Sequence, residues 1–156
     1  LSQLIYRAAQ DIGIETVPRG TYLAVEGPQF STLAESELYR SWNGDVIGMT
    51  NLPEARLARE AEMCYASVAM VTDYDCWHPE HDQVSVGQIV KTLNENAFAA
   101  RQLLQEALPR LGENPASVSC SCRFALENAI ITPPEHRDPG KVSQLDAVAG
   151  RLFNNR

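Results

Sequence analysis

Apolar positions recur at helical spacing from the first residue: Leu1, Leu4, Ile5 and Ala8 share one face. A helix is expected over Ser2 to Ile12, ending near Gly13. The period then changes. Gly20-Thr21-Tyr22-Leu23-Ala24-Val25-Glu26 reads as a short strand, with a Gly27-Pro28 loop after it. Thr32 and Glu35 match a capping box, where hydroxyl and carboxylate satisfy free amides at a helix start. The helix it opens runs to about Trp42. Asn43-Gly44 marks a turn, and Asp45-Val46-Ile47-Gly48-Met49 a second, buried strand.

Pro53 suits the first turn of a helix, whose stripe is Ala55, Leu57, Ala58, Ala61 and Met63. Alternation returns in Tyr65-Ala66-Ser67-Val68-Ala69-Met70-Val71, a third expected strand. His78 to Gln83 is a polar loop. Ser85 and Gln88 repeat the capping-box pattern and open a long helix to about Leu108. Residues 112–116 read as a linker, Arg123 to Ile131 as a helix closed by Pro133-Pro134, and Lys141 to Phe153 as a last helical segment.

Strands alternating with helices predict an α/β fold, a sheet flanked by helices. Only three strands precede a mostly helical second half, where such sheets usually have about five or six. The chain also begins at Leu1, with the helical pattern already running. The plain reading is a processed or tag-cleaved chain. The sharper one is a piece of a longer protein whose N-terminal strands are missing.

Composition narrows the classes. At 156 residues, 44% apolar and 21% charged, the chain fits one ordinary soluble domain. A net charge of −7 argues against a non-specific nucleic-acid binder and a polybasic membrane anchor. No apolar run nears the roughly 20 residues of a spanning helix, and no signal-peptide pattern is present. Cys64, Cys76, Cys120 and Cys122 make no zinc-ribbon pair, and only three histidines accompany them. The expected compartment is cytoplasmic, with the redox state of the cysteines open.

The chemistry concentrates in Thr72-Asp73-Tyr74-Asp75. At the end of a strand, Asp73 and Asp75 project the same way. They would form a row of acceptors suited to a ligand with donors along one edge, as adenine has. The plain alternative is a solvated loop or a helix cap. Two other segments follow strands. Glu26-Gly27-Pro28-Gln29-Phe30-Ser31 offers close backbone approach at Gly27 and a stacking face at Phe30, or is a connecting loop with Phe30 in the core. Gly48-Met49-Thr50-Asn51 offers a hydroxyl and amides for an anion at a helix start, or merely caps that helix. His78 and His81, three apart beside Pro79, form no recognised cage, and no metal site is expected. Cys120-Ser121-Cys122 is open between a strained redox pair, a disulfide and two ordinary thiols.

Taken in order, these segments resemble the C-terminal half of the S-methyl-5′-thioadenosine phosphorylases, in the trimeric branch of the purine nucleoside phosphorylase family. The blocks that carry the resemblance are Glu26 to Thr32 with Ala34-Glu35-Ser36, Asp45 to Thr50, Pro53-Glu54-Ala55 with Leu57 to Glu60, and Cys64 to Ser67 leading to Thr72-Asp73-Tyr74-Asp75-Cys76-Trp77. The Cys-x-Cys run ahead of Ala129-Ile130-Ile131-Thr132 is similar to the family as well.

The resemblance implies part of a phosphorylase/hydrolase-like mixed sheet, with residues 1–156 as the C-terminal portion of a single domain. It also implies phosphorolysis of methylthioadenosine to adenine and 5-methylthioribose-1-phosphate, without metal or organic cofactor. Asp73 would act at the purine N7 and Asp75 would accept from the 6-amino group. Tyr74 would contact the substrate, Phe30 would pack on the base, Met49 would lie against the ribose, and Thr50 would reach the phosphate. Ser31 and Val86, with Val84 and Val90, would shape the pocket for an apolar 5′ group. The family's main phosphate-binding elements lie in its N-terminal half and have no counterpart here. The resemblance therefore implies a chain inactive alone, an N-terminal half as partner, and a homotrimer. The alternatives are another substrate, such as methylthioinosine, and a non-catalytic nucleoside-binding fragment.

Overall fold

The computed structural model describes residues 1–79, 85–113 and 120–153. Its elements run in the order α1 (Ser2–Asp11), β1 (Tyr22–Ala24), α2 (Leu33–Ser41), β2 (Val46–Gly48), α3 (Asn51–Glu60), α4 (Val86–Glu113), 3-10 turns at Ser121–Phe124 and Pro134–His136, α5 (Pro139–Gln144) and α6 (Asp146–Phe153). They fall into two compact units: Leu1–Leu52 with Ala66–Asn114, and Pro53–Tyr65 with Pro115–Arg156.

In the first unit α1 packs on α4 through Ala8, Ala9, Leu103 and Ala107, with Leu4, Ile5 and Ile14 around them. Three alanines at the contact leave little side chain between the helices, so the backbones approach closely. α4 continues past the expected stop at Leu108 and carries Pro109 inside it. The proline removes one backbone hydrogen bond. Arg110, the next residue, anchors this part of α4 by pairing with Asp11 of α1 at 2.7 Å and with Glu106. Residues 114–116 of the expected linker lie outside the described residues.

The two strands form a parallel pair in the register Tyr22↔Val46, Leu23↔Ile47, Ala24↔Gly48. Both expected capping boxes are present. Thr32 and Glu35 exchange bonds at the start of α2, and Ser85 and Gln88 do so before α4. Three helices end in one way. The chain turns left-handed at Gly13, Asn43 and Glu62, and the next amide bonds back to a carbonyl five residues earlier: Ile14 to Ala9, Gly44 to Tyr39, Met63 to Ala58. Glycine and asparagine suit that turn. A glutamate there is strained, and its side chain is correspondingly tied down.

The third expected strand is not formed. Residues 63–72 have no regular structure, and Tyr65, Val68, Met70 and Val71 are exposed. A strand exists through its ladder, and among the described residues β1 and β2 pair only with each other. The helix expected over Arg123 to Ile131 is likewise replaced by the 3-10 turn and single three-residue turns, Glu127 to Phe124 and Ala129 to Leu126. So short a segment, ending in two β-branched isoleucines, cannot sustain helix propagation on its own. The last segment is two helices, α5 opened by Asp138 as cap and Pro139, then α6 after Leu145.

In the second unit the Glu62 carboxylate accepts from the Leu126 amide at 3.2 Å and from the Arg151 guanidinium at 2.7 and 3.0 Å. Arg151 holds that carboxyl below the usual carboxylate range against the opposing effect of burial.

Candidate active site

Parallel strands put both outgoing loops at the same edge. The pairing extends one bond beyond the strands, from the Val25 amide to the Gly48 carbonyl at 2.9 Å. From there the chain enters Glu26-Gly27 on one side and Met49-Thr50 on the other. Ligands of parallel α/β sheets bind at this carboxyl edge. Gly27 has φ +72, and a Cβ on it would lie 2.7 Å from the Met49 sulfur. Only glycine lets the loop cross Met49 so closely. A cleft of about 340 Å³ opens here, lined by Val25, Glu26, Gly27, Gln29, Phe30, Ser31, Glu35 and Tyr39. Phe30 is 85% exposed, so it offers a free ring face rather than a core contact.

The segment with the paired carboxylates is fastened to this loop. The Cys76 thiol donates to the Ser31 carbonyl at 3.4 Å. The Ser36 hydroxyl, on the first turn of α2 and fully buried, donates to Asp75 at 2.6 Å. The other oxygen of Asp75 accepts from the Cys76 amide at 2.9 Å. Asp73 is exposed and accepts from the Thr72 hydroxyl at 2.5 Å. The common direction expected of the two aspartates rested on a strand that is absent. Their surroundings instead separate them: Asp75 is half-buried and oriented, and Asp73 is open.

Tyr74 stacks on His78 with ring centroids 4.1 Å apart and meets Trp77 edge-on, while Arg40 lies 3.8 Å over the Trp77 ring. His78 therefore belongs to an aromatic cluster, and His81 lies outside the described residues. Thr50 is exposed directly before α3. Val86 and Val90 stand exposed on the first turns of α4. Val84 lies outside the described residues. α4 does reach this region through Asn96, whose amide donates to the Val71 carbonyl at 2.9 Å.

Sequence reasoning missed Ser36 and Cys76 as supports of the site. A single serine in the first turn of a helix is too weak a signal. It also missed the meeting of Cys64 with Cys120 and Cys122, whose sulfurs lie within 4.8 Å of one another. All four cysteines are free thiols. The Cys122 amide and thiol, and then the Cys64 thiol, stabilise the Cys120 thiolate and lower its pKa to about 7, while Cys122 is pushed up.

The Phosphorylase superfamily profile matches residues 1–109, and the chain belongs to that superfamily. Its helices and small parallel sheet are the α/β arrangement of that fold. In sequence the chain is similar to the S-methyl-5′-thioadenosine phosphorylase of Cereibacter sphaeroides, 55% identical over 98% of this chain and 53% of that protein. It is also similar to that of Rhodospirillum rubrum, 52% identical over 98% and 52%. In structure it is similar to a methylthioadenosine phosphorylase from an antarctic soil metagenomic library, with TM-score 0.83 and 38% identity over 94% of this chain and 51% of that one. A methylthioadenosine phosphorylase from Schistosoma mansoni in complex with adenine superposes with TM-score 0.65 at 28% identity, over 82% and 49%. The chain spans about half the length of the curated relatives it matches.

Proposed function

We propose that this chain supplies the purine-recognising part of an enzyme that cleaves S-methyl-5′-thioadenosine with inorganic phosphate, giving adenine and 5-methylthioribose-1-phosphate. The observation that carries the reading is the oriented Asp75, held by buried Ser36, with the neighbouring Cys76 thiol fastened to the Ser31 carbonyl.

Phosphate attacks C1′ as the bond from C1′ to the purine nitrogen breaks, and negative charge moves into the base. Selective stabilisation of that leaving group speeds the reaction. Asp73, exposed two residues before Asp75, supplies a proton at N7. Asp75 keeps acceptor capacity beyond Ser36 and the Cys76 amide, since a carboxylate has about four lone-pair sites. That capacity suits a 6-amino group and selects adenine over 6-oxopurines. Phe30 packs on the base, Met49 bounds the ribose, Tyr74 closes on the substrate, and Ser31, Val84, Val86 and Val90 shape the 5′ end.

Thr50 alone cannot hold a phosphate dianion in line, so the remaining phosphate ligands come from an N-terminal half of the same protein. Two observations support this. The chain matches about half of its relatives' length, and α4 exposes Leu93, Phe98, Leu104, Leu108 and Leu111, an apolar surface suited to further protein. A homotrimer, a cytoplasmic location and a need for no cofactor beyond phosphate belong to the same proposal. Among the described residues no helix is long and apolar enough to cross a membrane.

The test is phosphate-dependent adenine release from methylthioadenosine by a polypeptide that includes the N-terminal half. Asp73→Asn is expected to lower kcat by about 10²–10⁴, the usual contribution of a positioned acid. Asp75→Asn is expected to erode the preference for adenine over hypoxanthine nucleosides. Unchanged rate and specificity in both variants would refute the assignment. Phosphorolysis by residues 1–156 alone would refute the need for the other half.

A further inference from the structure

The second unit brings together three sulfurs that the proposed reaction does not use. Cys64 follows the left-handed turn at Glu62, and Cys120 and Cys122 flank Ser121 at the start of a 3-10 turn. Their Sγ atoms lie within 4.8 Å of one another, and all three side chains are half-buried. The thiols are not what holds the segments together. Glu62 binds the Leu126 amide and Arg151, and Arg151 reaches the Arg123 carbonyl at 3.5 Å. Two stretches far apart in sequence are thus fixed side by side by their own hydrogen bonds, with the three thiols presented between them.

We propose that Cys64, Cys120 and Cys122 form a three-thiolate binding site for a soft d10 metal ion, zinc or cuprous copper. The spacing fits. A sulfur-to-zinc bond of about 2.3 Å sets tetrahedral sulfurs roughly 3.8 Å apart, so closing the cluster on an ion needs side-chain shifts of about 1 Å or less. The donor set fits as well. The cluster contains thiols alone, with no carboxylate or imidazole among the described residues. Thiolate donors favour zinc and cuprous copper over calcium or magnesium. Each thiol that binds releases its proton to solvent, and the thiolate is the ligating form. The bound ion ties the end of α3 to the 120–122 segment and stabilises the folded chain by mass action. The site is independent of the purine-binding reading.

The experiment uses the reduced full-length protein. It is titrated anaerobically with Cd²⁺, as a spectroscopic stand-in for zinc, and separately with Cu⁺ in competition with a chelator. The expected result is one ion per chain, a sulfur-to-cadmium charge-transfer band and a raised Tm. Iodoacetamide mapping should show Cys64, Cys120 and Cys122 protected together by the metal while Cys76 keeps its reactivity. Single Cys→Ser changes at the three positions should each weaken binding by more than about tenfold, and Cys76→Ser should not. The mapping needs no variant, so a misfolded mutant does not spoil the test. Sub-stoichiometric binding, protection that leaves out any of the three, or a disulfide joining two of them in the protein as isolated would overturn the proposal.

Discussion

Two carboxylates, one in each compact unit, are held in contrasting ways. Glu62 is largely committed: one backbone amide and two guanidinium contacts take three of its roughly four lone-pair sites, and a cation faces its charge. Among the described residues the hydrogen bonds to Asp75 come from neutral donors, a buried hydroxyl and one amide. The first arrangement suits a joint between chain segments. The second fixes direction while leaving lone pairs uncommitted. A carboxylate meant to recognise something must be aimed without being neutralised.

That contrast can be broken at several points. The largest effect is expected from Ser36→Ala. It removes a buried hydrogen bond to a charged group, a contribution of roughly 1.5–3 kcal/mol. In the full-length enzyme kcat/KM for methylthioadenosine should fall by about 10- to 100-fold. Steady-state rates measure this, and an unchanged value would show that Asp75 needs no aiming. Next is Ala107→Leu, which drives a large side chain into the α1–α4 contact. Overpacking of this kind costs about 1–3 kcal/mol, to be read from urea unfolding of the first unit. It separates the general stability of that unit from the orientation of Asp75.

The smallest effect is expected from Glu62→Gln, which should lower Tm by a few degrees at neutral pH and change acid sensitivity. Glu62 has a folded-state pKa below its ordinary value because of Arg151. Its contribution is complete above the ordinary carboxylate pKa of about 4.3. As pH falls from there through the lower folded value, the unfolded chain binds the proton first and the contribution disappears. The variant should lack that part of the acid limb in a Tm-against-pH series. An identical acid limb in both proteins would make the Glu62–Arg151 pair irrelevant to stability.

What could be read from sequence was what neighbours in sequence decide. Capping boxes at Thr32 and Ser85, the helix stop at Gly13 and the turn at Asn43-Gly44 depend on residues three to five apart, and each is present. Apart from the short Arg123 to Ile131 segment, the failures involve distant partners. Tyr65 to Val71 alternates like a strand but lacks a ladder to join. α4 passes Pro109 because Arg110 and Ala107 are held by α1, which lies a hundred residues away in the chain. The stop at Glu62 has no glycine to announce it and depends on Arg151. At the candidate site, Phe30 and Met49 were legible as residues of loops that follow strands and the aspartates as a pair of carboxylates two apart, whereas the strand expected before that pair is absent and the buried hydroxyl that aims Asp75 left no signal.

The short parallel pair also governs how the chain tolerates changes of length. Its register is set by Ala24 against Gly48, and the Asp45 carboxylate takes the Thr21 amide at 2.6 Å just outside it. A residue inserted between Val17 and Gly20 only lengthens an exposed connection, which costs little. One inserted between Tyr22 and Gly27 reverses every following side chain up to the loop. It would bring a residue with a Cβ over the Met49 sulfur. Homologues and engineered variants should therefore differ freely in the first stretch and keep a constant residue count in the second.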